Sequence, residues 1–359
     1  MTHLTRRKFV QAAAAATMAG AWRSAVAEES SKKTRMGIVT YCLGIRNRAD
    51  RAAGRQPNFN DPLNFLEHCH RLGAGGIQHS IGIQDESYTA KLRREADRRG
   101  MFVEGILNLP RDEPSRRAAD IERFDAEVRT LKQAGITVAR VVMMPGRRYE
   151  QFQTPEQFHD YAGRGLKSLE LAEPIAARHQ IRLALENHKG QRIGERLEVL
   201  KRLSSEYIGA CVDVGNSFAL MEDPIEVAEA YAPWAATVHL KDQAVCEVED
   251  GFLFADAVLG DGFLDLPRIV AILRRANPAI HFCLETITRD PLLIPCLTDQ
   301  YWATLGDVPG RDLARTLRIV RAGAAKDLPR ISHLPLPQQV AQEATNVERC
   351  LAYARTLGI

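Results

Sequence analysis

The stretch Leu183–Gly190, LALENHKG, begins as an apolar strand and then sets Glu186, Asn187 and His188 side by side. Three later apolar runs end in a similar way: CVDVGN in Asp213, VHLKD in His239 and CLETI in Glu285. Carboxylate oxygens and imidazole nitrogens bind divalent cations, and carboxylates also carry protons. Three carboxylates crowded into a half-buried place repel one another and lose hydration. Unpaired, each costs several kcal/mol or takes up a proton. One divalent ion removes that conflict. Three oxygen donors and one imidazole suit Mn²⁺ first, then Mg²⁺, with Co²⁺ or Zn²⁺ as alternatives. Any one of these residues alone reads as a rim salt bridge; the set of four does not.

The elements that must position them recur along the chain. Eight short apolar runs lie at 35–44, 75–82, 101–110, 138–146, 181–188, 207–216, 234–242 and 280–287. They are rich in Val and Ile and almost continuously apolar, as strands buried on both faces are. Amphipathic helical patterns separate them. In DIERFDAEVRTLKQAG, Ile121, Phe124, Val128 and Leu131 form one stripe that Gly135 closes. Eight alternations of strand and helix predict a single (β/α)8 TIM barrel of the α/β class over residues 35–330. The donor residues then sit on strands five to eight, at the rim where βα loops build sites. Adjacent strands lie about 4.8 Å apart, so four such groups converge. The competing open, doubly wound sheet wants a Gly-rich turn after its first strand, and YCLGIRNRADRAAG is not one.

Two connections are long, Ile45 to Asn60 and Thr288 to Val308, and both leave C-terminal strand ends. Residues 331–359 read as a Pro-rich link and an extra C-terminal helix. His188 and Lys241 sit just past donor residues and are candidates for binding substrate oxygens. Asp242 is placed to orient Lys241 or a donor. Arg147 and Arg148 follow strand four and face a substrate or solvent. His79 points into the core rather than the mouth. Tyr301 and Trp302 lie in a long loop that either covers a sugar face or packs on itself.

The N-terminus reads differently. Residues 1–27 combine Arg6, Arg7 and Lys8 with an Ala-rich segment and AVA, the three-part layout of a cleaved twin-arginine export signal. A linker over 28–34 follows. Cleavage after Ala27 places the mature chain in the periplasm or otherwise outside the cytoplasm. It also removes four basic and no acidic side chains, which turns a formal net charge of +3 into −1. That balance gives no broad electrostatic footprint for nucleic acid. No later apolar run is long enough to span a bilayer. The seven cysteines are scattered without C-x-x-C, so buried reduced thiols are expected rather than a disulfide framework.

The E…D…H…E order on strands five to eight resembles the xylose isomerase-like TIM barrels, with their tagatose 3-epimerase and inosose dehydratase types. HLKD and the following LGDGFLDLPRIVAILRR are similar to that family as well. The resemblance implies that Glu186, Asp213, His239 and Glu285 hold the metal and that Glu186 and Glu285 form the acid/base pair. It puts Asn216 where such epimerases usually carry His, leaving a group that hydrogen-bonds a sugar oxygen but shares no proton. The implied activity is metal-dependent isomerisation or epimerisation of a small sugar or keto-sugar through an enediolate. Return of the proton to the other face gives an epimer, return to the next carbon an isomer, and loss of a β-substituent a lyase. The alternatives are an exported lyase or hydrolase of 3-keto-glycosides and a non-catalytic sugar-binding barrel; the chain assembles as a monomer or a homo-oligomer. An apurinic endonuclease needs more histidines, and Asn216 replaces one of them.

The export reading makes a prediction. Arg6→Lys with Arg7→Lys keeps the charge but removes the guanidinium pair, so uncleaved precursor accumulates in the cytoplasm. Normal cleavage and export of the double variant, followed by immunoblot of cell fractions, would refute the twin-arginine assignment.

Overall fold

The computed structural model describes residues 33–56, 58–325 and 328–359. The expected export signal and its cleavage site lie outside the described residues. The strands are β1 (Gly37–Val39), β2 (Gly76–His79), β3 (Phe102–Ile106), β4 (Val138–Val141), β5 (Arg182–Glu186), β6 (Ile208–Asp213) and β7 (Ala235–Leu240), followed by β8 (Asp242–Val248), β9 (Gly251–Ala257), β10 (Phe282–Leu284) and β11 (Leu292–Ile294). Strands β1 to β7 and β10 close into one parallel barrel in the order β1-β10-β7-β6-β5-β4-β3-β2. Each of the eight apolar runs contains one barrel strand. Every residue of β6 and β7 is buried, because lumen and helix layer cover the two faces. A fully buried Leu, Ile or Val contributes about 1.5–3 kcal/mol, and the continuous runs supply many of them.

The helices follow their signals. Arg117–Gln133 buries Phe124, Val128 and Leu131 against the sheet, and Gly135 turns the chain at φ +76°. Pro155–His179 starts at Thr154, whose hydroxyl accepts from the Gln157 amide. Among the described residues no helix is long and apolar enough to cross a membrane. All seven cysteines are free, and all but Cys246 are buried.

Two long connections hold more structure than the sequence suggested. Gly44–Ala52 is a helix inside the first, and β11 and a short helix Asp299–Trp302 lie inside the last. Strands β8 and β9 form an antiparallel hairpin, and β11 adds to β9. This small sheet buries Val245, Phe252, Phe254 and Ile294 in a second apolar cluster with Phe218 and Tyr301. Tyr301 is wholly buried and donates to the Ala219 carbonyl at 2.8 Å, so it packs the loop rather than covering a ligand. The Trp302 indole N–H donates to the Cys296 carbonyl at 2.9 Å.

The C-terminal helix, Leu336–Thr356, braces the mouth of the barrel. Its buried Glu343 accepts from the backbone amides of Ile45 at 2.7 Å and Arg46 at 2.9 Å. Those are free N–H groups at the start of Gly44–Ala52, where a carboxylate also meets the helix dipole. Glu343→Ala removes both bonds and is expected to lower unfolding stability by about 1–3 kcal/mol. A urea midpoint equal to the parent's would show that this contact does not hold the helix.

Candidate metal centre and substrate cavity

Glu186 closes β5, Asp213 closes β6, His239 is one residue from the end of β7, and Glu285 follows β10 directly. One donor atom from each lies within 4.8 Å of the other three. Asp213 pairs with His239 across β6 and β7, which puts both side chains on one face. The Glu285 amide donates to the Leu240 carbonyl at 3.0 Å, which fixes its height beside His239. Asn187 braces the next strand: its side chain bonds both the amide and the carbonyl of Asp213, each at 2.7 Å. The Asp213 Oδ1 in turn accepts from the amides of Gly215 at 3.0 Å and Asn216 at 2.8 Å.

A hydrogen-bond chain through the lumen sets the imidazole. Glu104 of β3 accepts from the Gln78 amide group at 3.1 Å and from the Thr237 hydroxyl at 2.7 Å. That turns the Gln78 oxygen toward His239, whose Nε2 lies 2.8 Å away. An amide oxygen can only accept, so Nε2 carries the proton, and the lone pair of neutral His239 is on Nδ1. Nδ1 is buried without an aligned hydrogen bond, 3.3 Å from Glu285 Oε2 and 3.7 Å from Glu186 Oε2. Three carboxylates and one free ring nitrogen are a donor set that can hold a divalent cation.

Two buried cations temper the charge. The Arg140 guanidinium, projecting from β4, pairs with Glu186 Oε2. Lys241 Nζ stands 2.7 Å from Asp213 Oδ2 and 2.6 Å from Glu285 Oε2, so cation binding competes with its ion pairs. A Cβ on Gly215 would come 3.0 Å from Lys241 Cδ, so the close approach of this side chain needs glycine there. Burial pushes Asp213 up to about 6, with Lys241 working against it. Burial is the largest influence on Glu186 and opposes its ionisation, but Arg140 together with His239 and His188 outweighs it and holds that carboxyl below its usual range. For Glu285, Lys241 and His239 outweigh burial in the same way. Burial disfavours charged His239, yet Glu285 and Glu186 raise its pKa above the ordinary imidazole value.

Glu186 and Glu285 open onto a cavity of about 580 Å³, with Asp213 and His239 buried behind them. Arg147, His188, Asn216 and Lys241 line it, with Arg140, Lys189, Arg48, Arg289 and Tyr41. Arg147 reaches both oxygens of Glu150, at 2.7 and 2.8 Å. Its neighbour Arg148 turns inward to Glu195 and to Thr304 and takes no part in the cavity. Burial lowers His188 to about 4, so it is neutral; its Nδ1 lies 2.9 Å from the Gly146 carbonyl. Asn216 donates to Glu186 Oε1 at 3.2 Å and accepts from the Lys189 ammonium. Asp242 does not touch Lys241 through a hydrogen bond. Its carboxylate is occupied by the amides of Gln243, Gly260, Gly262 and Leu264, and it anchors the LGDGFL turn. His79 is bonded on both ring nitrogens to the Phe59 and Ser80 carbonyls and belongs to the core.

Arg140, Lys189, Gln78 and Glu104 are site residues that the sequence reading passed over. For Gln78, Glu104 and Arg140 the signal was a polar residue inside an apolar run, which in a barrel is a residue facing the lumen; Lys189 lies past its run, in the loop after β5. A second cavity, of about 550 Å³, lies outside the barrel near Tyr161 and Arg164. None of the four donors lines it, and its Arg111 and Arg123 are paired with Asp120 and Glu127.

Comparison with known proteins agrees with this geometry. The sequence profile described as xylose isomerase-like TIM barrel matches residues 66–307. A 3-oxo-isoapionate decarboxylase of Pectobacterium atrosepticum is 28% identical over 262 residues, covering 70% of this chain and 84% of that protein. Among solved structures, D-psicose 3-epimerase of Clostridium cellulolyticum H10 superposes with a TM-score of 0.54 at 13% identity, over 83% of this chain and 93% of that one. The 3-keto-D-glucoside 4-epimerase of E. coli gives 0.53 at 13% identity, over 81% and 100%. At such identities these two show the fold alone.

The protonation pattern predicts how a cation binds. Asp213 keeps its proton to about 6, and charged His239 has no lone pair to offer. Both must lose a proton first, so affinity for Mn²⁺ rises as pH passes about 6, where Asp213 ionises, and rises further as His239 loses its proton above the ordinary imidazole range; binding releases protons. Calorimetry near pH 6 in buffers of differing ionisation enthalpy measures that release. A pH-independent affinity with no proton release would remove Asp213 and His239 from the donor set.

Proposed function

The chain belongs to the xylose isomerase-like TIM barrel family, and from that premise we propose that it is a metal-dependent isomerase or epimerase of a small sugar or keto-sugar. The reaction moves a proton beside a carbonyl and passes through an enediolate. One observation carries this reading: two buried glutamates and a four-donor cluster converge at the floor of a sugar-sized cavity. Glu186, Asp213, His239 and Glu285 would hold one divalent ion, Mn²⁺ before Mg²⁺, Co²⁺ or Zn²⁺. An ion held there would supply Lewis-acid polarisation of a substrate carbonyl, which would acidify the neighbouring C–H bond.

The chain's own groups supply the proton steps. Glu186 is kept ionised by Arg140, and Glu285 by Lys241 and His239, so both can act as bases. One takes the proton from carbon and the other delivers one. The pKa of Lys241 lies well above the ordinary lysine value despite burial, because Asp213 and Glu285 face it. Its ammonium stays protonated and donates to oxygen as negative charge develops there. Asn216 and neutral His188 are placed to bond substrate hydroxyls, and Arg147 reaches the rim. With the export signal, we place the mature chain outside the cytoplasm.

A lyase is the second reading, and the decarboxylase relative favours it. Loss of carbon dioxide from a β-keto acid leaves an enolate, which is an enediolate when the carbon that loses it bears a hydroxyl, so the same site would stabilise it. A 3-keto-glycoside losing its leaving group is the other form of that outcome. A sugar-binding barrel without catalysis gains less support, since binding alone gives no use for two opposed glutamates.

Glu→Gln keeps the size and one oxygen donor but removes the base. Glu186→Gln and Glu285→Gln are each expected to retain some metal and lose turnover by at least about 10²-fold. Incubation of the Mn²⁺-loaded chain with keto-sugars in D₂O reads carbon-bound deuterium. Uptake by the parent that disappears in one variant identifies the first base. Carbon dioxide or aglycone release selects the lyase. Exchange and turnover at parental rates in both variants would remove the two-glutamate mechanism.

A further inference from the structure

The cavity is richer in positive charge than the chemistry above requires. Six cations line it, Arg48, Arg140, Arg147, Lys189, Lys241 and Arg289, with Glu150, Glu186 and Glu285 as the lining carboxylates. Asp213 and Asp256, which pair with Lys241 and Arg289 from behind the wall, bring the carboxylates to five. The mouth is therefore net positive before any metal is counted, and a divalent ion adds to the excess.

The excess has a place. Arg140, Arg147, Lys241 and Arg289 each have a carboxylate partner. Among the described residues, no carboxylate pairs with Lys189 or Arg48. Arg48 is exposed, so water stabilises it. Lys189 is only 5% exposed, and its ammonium donates to the neutral amide oxygen of Asn216. A buried ammonium has three donors to satisfy and costs several kcal/mol when no counter-charge meets it. Arg289 lines the same cavity, and its one carboxylate partner, Asp256, also accepts from Gln243 at 2.8 Å. Asp213 and Asp256 act on Lys189 only from beyond ion-pair distance, and burial with Lys241 outweighs them, so its charge is incompletely matched on the wall where a substrate sits.

We propose that Lys189, with Arg289 and Arg48, forms an anion subsite, so that the substrate is a sugar carrying an anionic oxygen group rather than a neutral sugar. The inference rests on the cavity being the substrate site of the proposed reaction. A carboxylate and a phosphate monoester share the required chemistry. The planar Arg289 fork and the Lys189 point charge suit either.

Three probes with one 2-keto-hexose frame separate the cases: D-fructose, 2-keto-D-gluconate and D-fructose 6-phosphate. Isothermal titration calorimetry on the metal-free full chain avoids direct ligation of the anion by the ion. One of the anionic probes is expected to bind at least about tenfold tighter than D-fructose, and which one does so names the group. Lys189→Met should abolish that advantage of the anionic probe over D-fructose. Arg48→Gln, at an exposed position, should reduce it by about threefold. Arg111→Gln, in the outer cavity, should change nothing. Equal affinity for all three probes in the parent overturns the subsite. So does an advantage that survives in both Lys189→Met and Arg48→Gln. Should Lys189→Met not fold, an undiminished advantage in Arg48→Gln and Arg289→Gln overturns it alone. Deuterium exchange of the same probes by the Mn²⁺-loaded chain keeps the two readings apart. Exchange of D-fructose with equal affinities rejects the subsite and keeps the proton chemistry. Anion preference without exchange keeps the subsite and rejects the proton chemistry.

Discussion

Three carboxylates and one imidazole within 4.8 Å of one another are the constraint to which the rest of the barrel mouth answers. Buried like charges at that spacing raise each other's pKa and destabilise the fold unless something opposes them. Arg140 opposes Glu186 from the neighbouring strand, and Lys241 bridges Asp213 and Glu285. Once Asp213 and His239 have lost their protons, Arg140 and Lys241 against three carboxylates leave one negative charge, with the lone pair of His239 Nδ1 free beside it. That remainder is what makes the cluster a cation site rather than a closed ion-pair network. Full neutralisation by side chains would have been more stable without ligand and would have offered nothing to bind.

The same constraint reaches down through the lumen. His239 could meet the carboxylates with either ring nitrogen, and only one choice leaves a lone pair facing them. Gln78 of β2 and Glu104 of β3 make that choice, reaching across the lumen to the β7 residue they orient. A polar chain inside a closed barrel is costly unless every member is bonded. Here Glu104 is met by Gln78, Thr237 and His281, so the chain is stable enough to act as a rigid support.

What the sequence made legible follows from this physics. Parallel strands covered on both faces leave continuous apolar runs, so all eight barrel strands could be found, and the four donors stood out as polar ends of those runs. Gln78, Glu104 and Arg140 were not legible in that way. A polar residue inside a strand looks like an imperfection until the closed sheet shows that it faces the lumen. The β8–β9 hairpin was missed for a different reason. Val245, Phe252 and Phe254 form an apolar face that covers Phe218 and Tyr301 rather than the barrel, so the pattern belongs to no βα unit. The helix Gly44–Ala52 has almost no apolar stripe, since a carboxylate from the far end of the chain holds its start. Adjacent residues also diverged beyond what sequence could say. Arg147 faces the cavity, while Arg148 lies 3.5 Å over the Phe158 ring and is buried with Glu195.

The choice between isomerase and lyase lies less in the donors than in what the substrate presents to them. On the proposed reading, proton abstraction and decarboxylation at a hydroxyl-bearing carbon both generate an enediolate, and the same cluster would stabilise it in either case. They differ in which bond lies perpendicular to the developing double bond. Orientation of the substrate decides that, and orientation requires contacts away from the reacting carbon. The walls bearing Arg48, Lys189 and Arg289 are where such contacts can form, while Glu186 and Glu285 remain at the floor. An anionic group seated near Lys189 would be held away from the cluster, so the bond exposed to a glutamate would be C–H. An anionic group turned toward the floor would itself be the leaving group, and no proton abstraction would be needed. In this fold the cations on the wall, rather than the metal-type donors below them, are therefore the elements able to select the reaction.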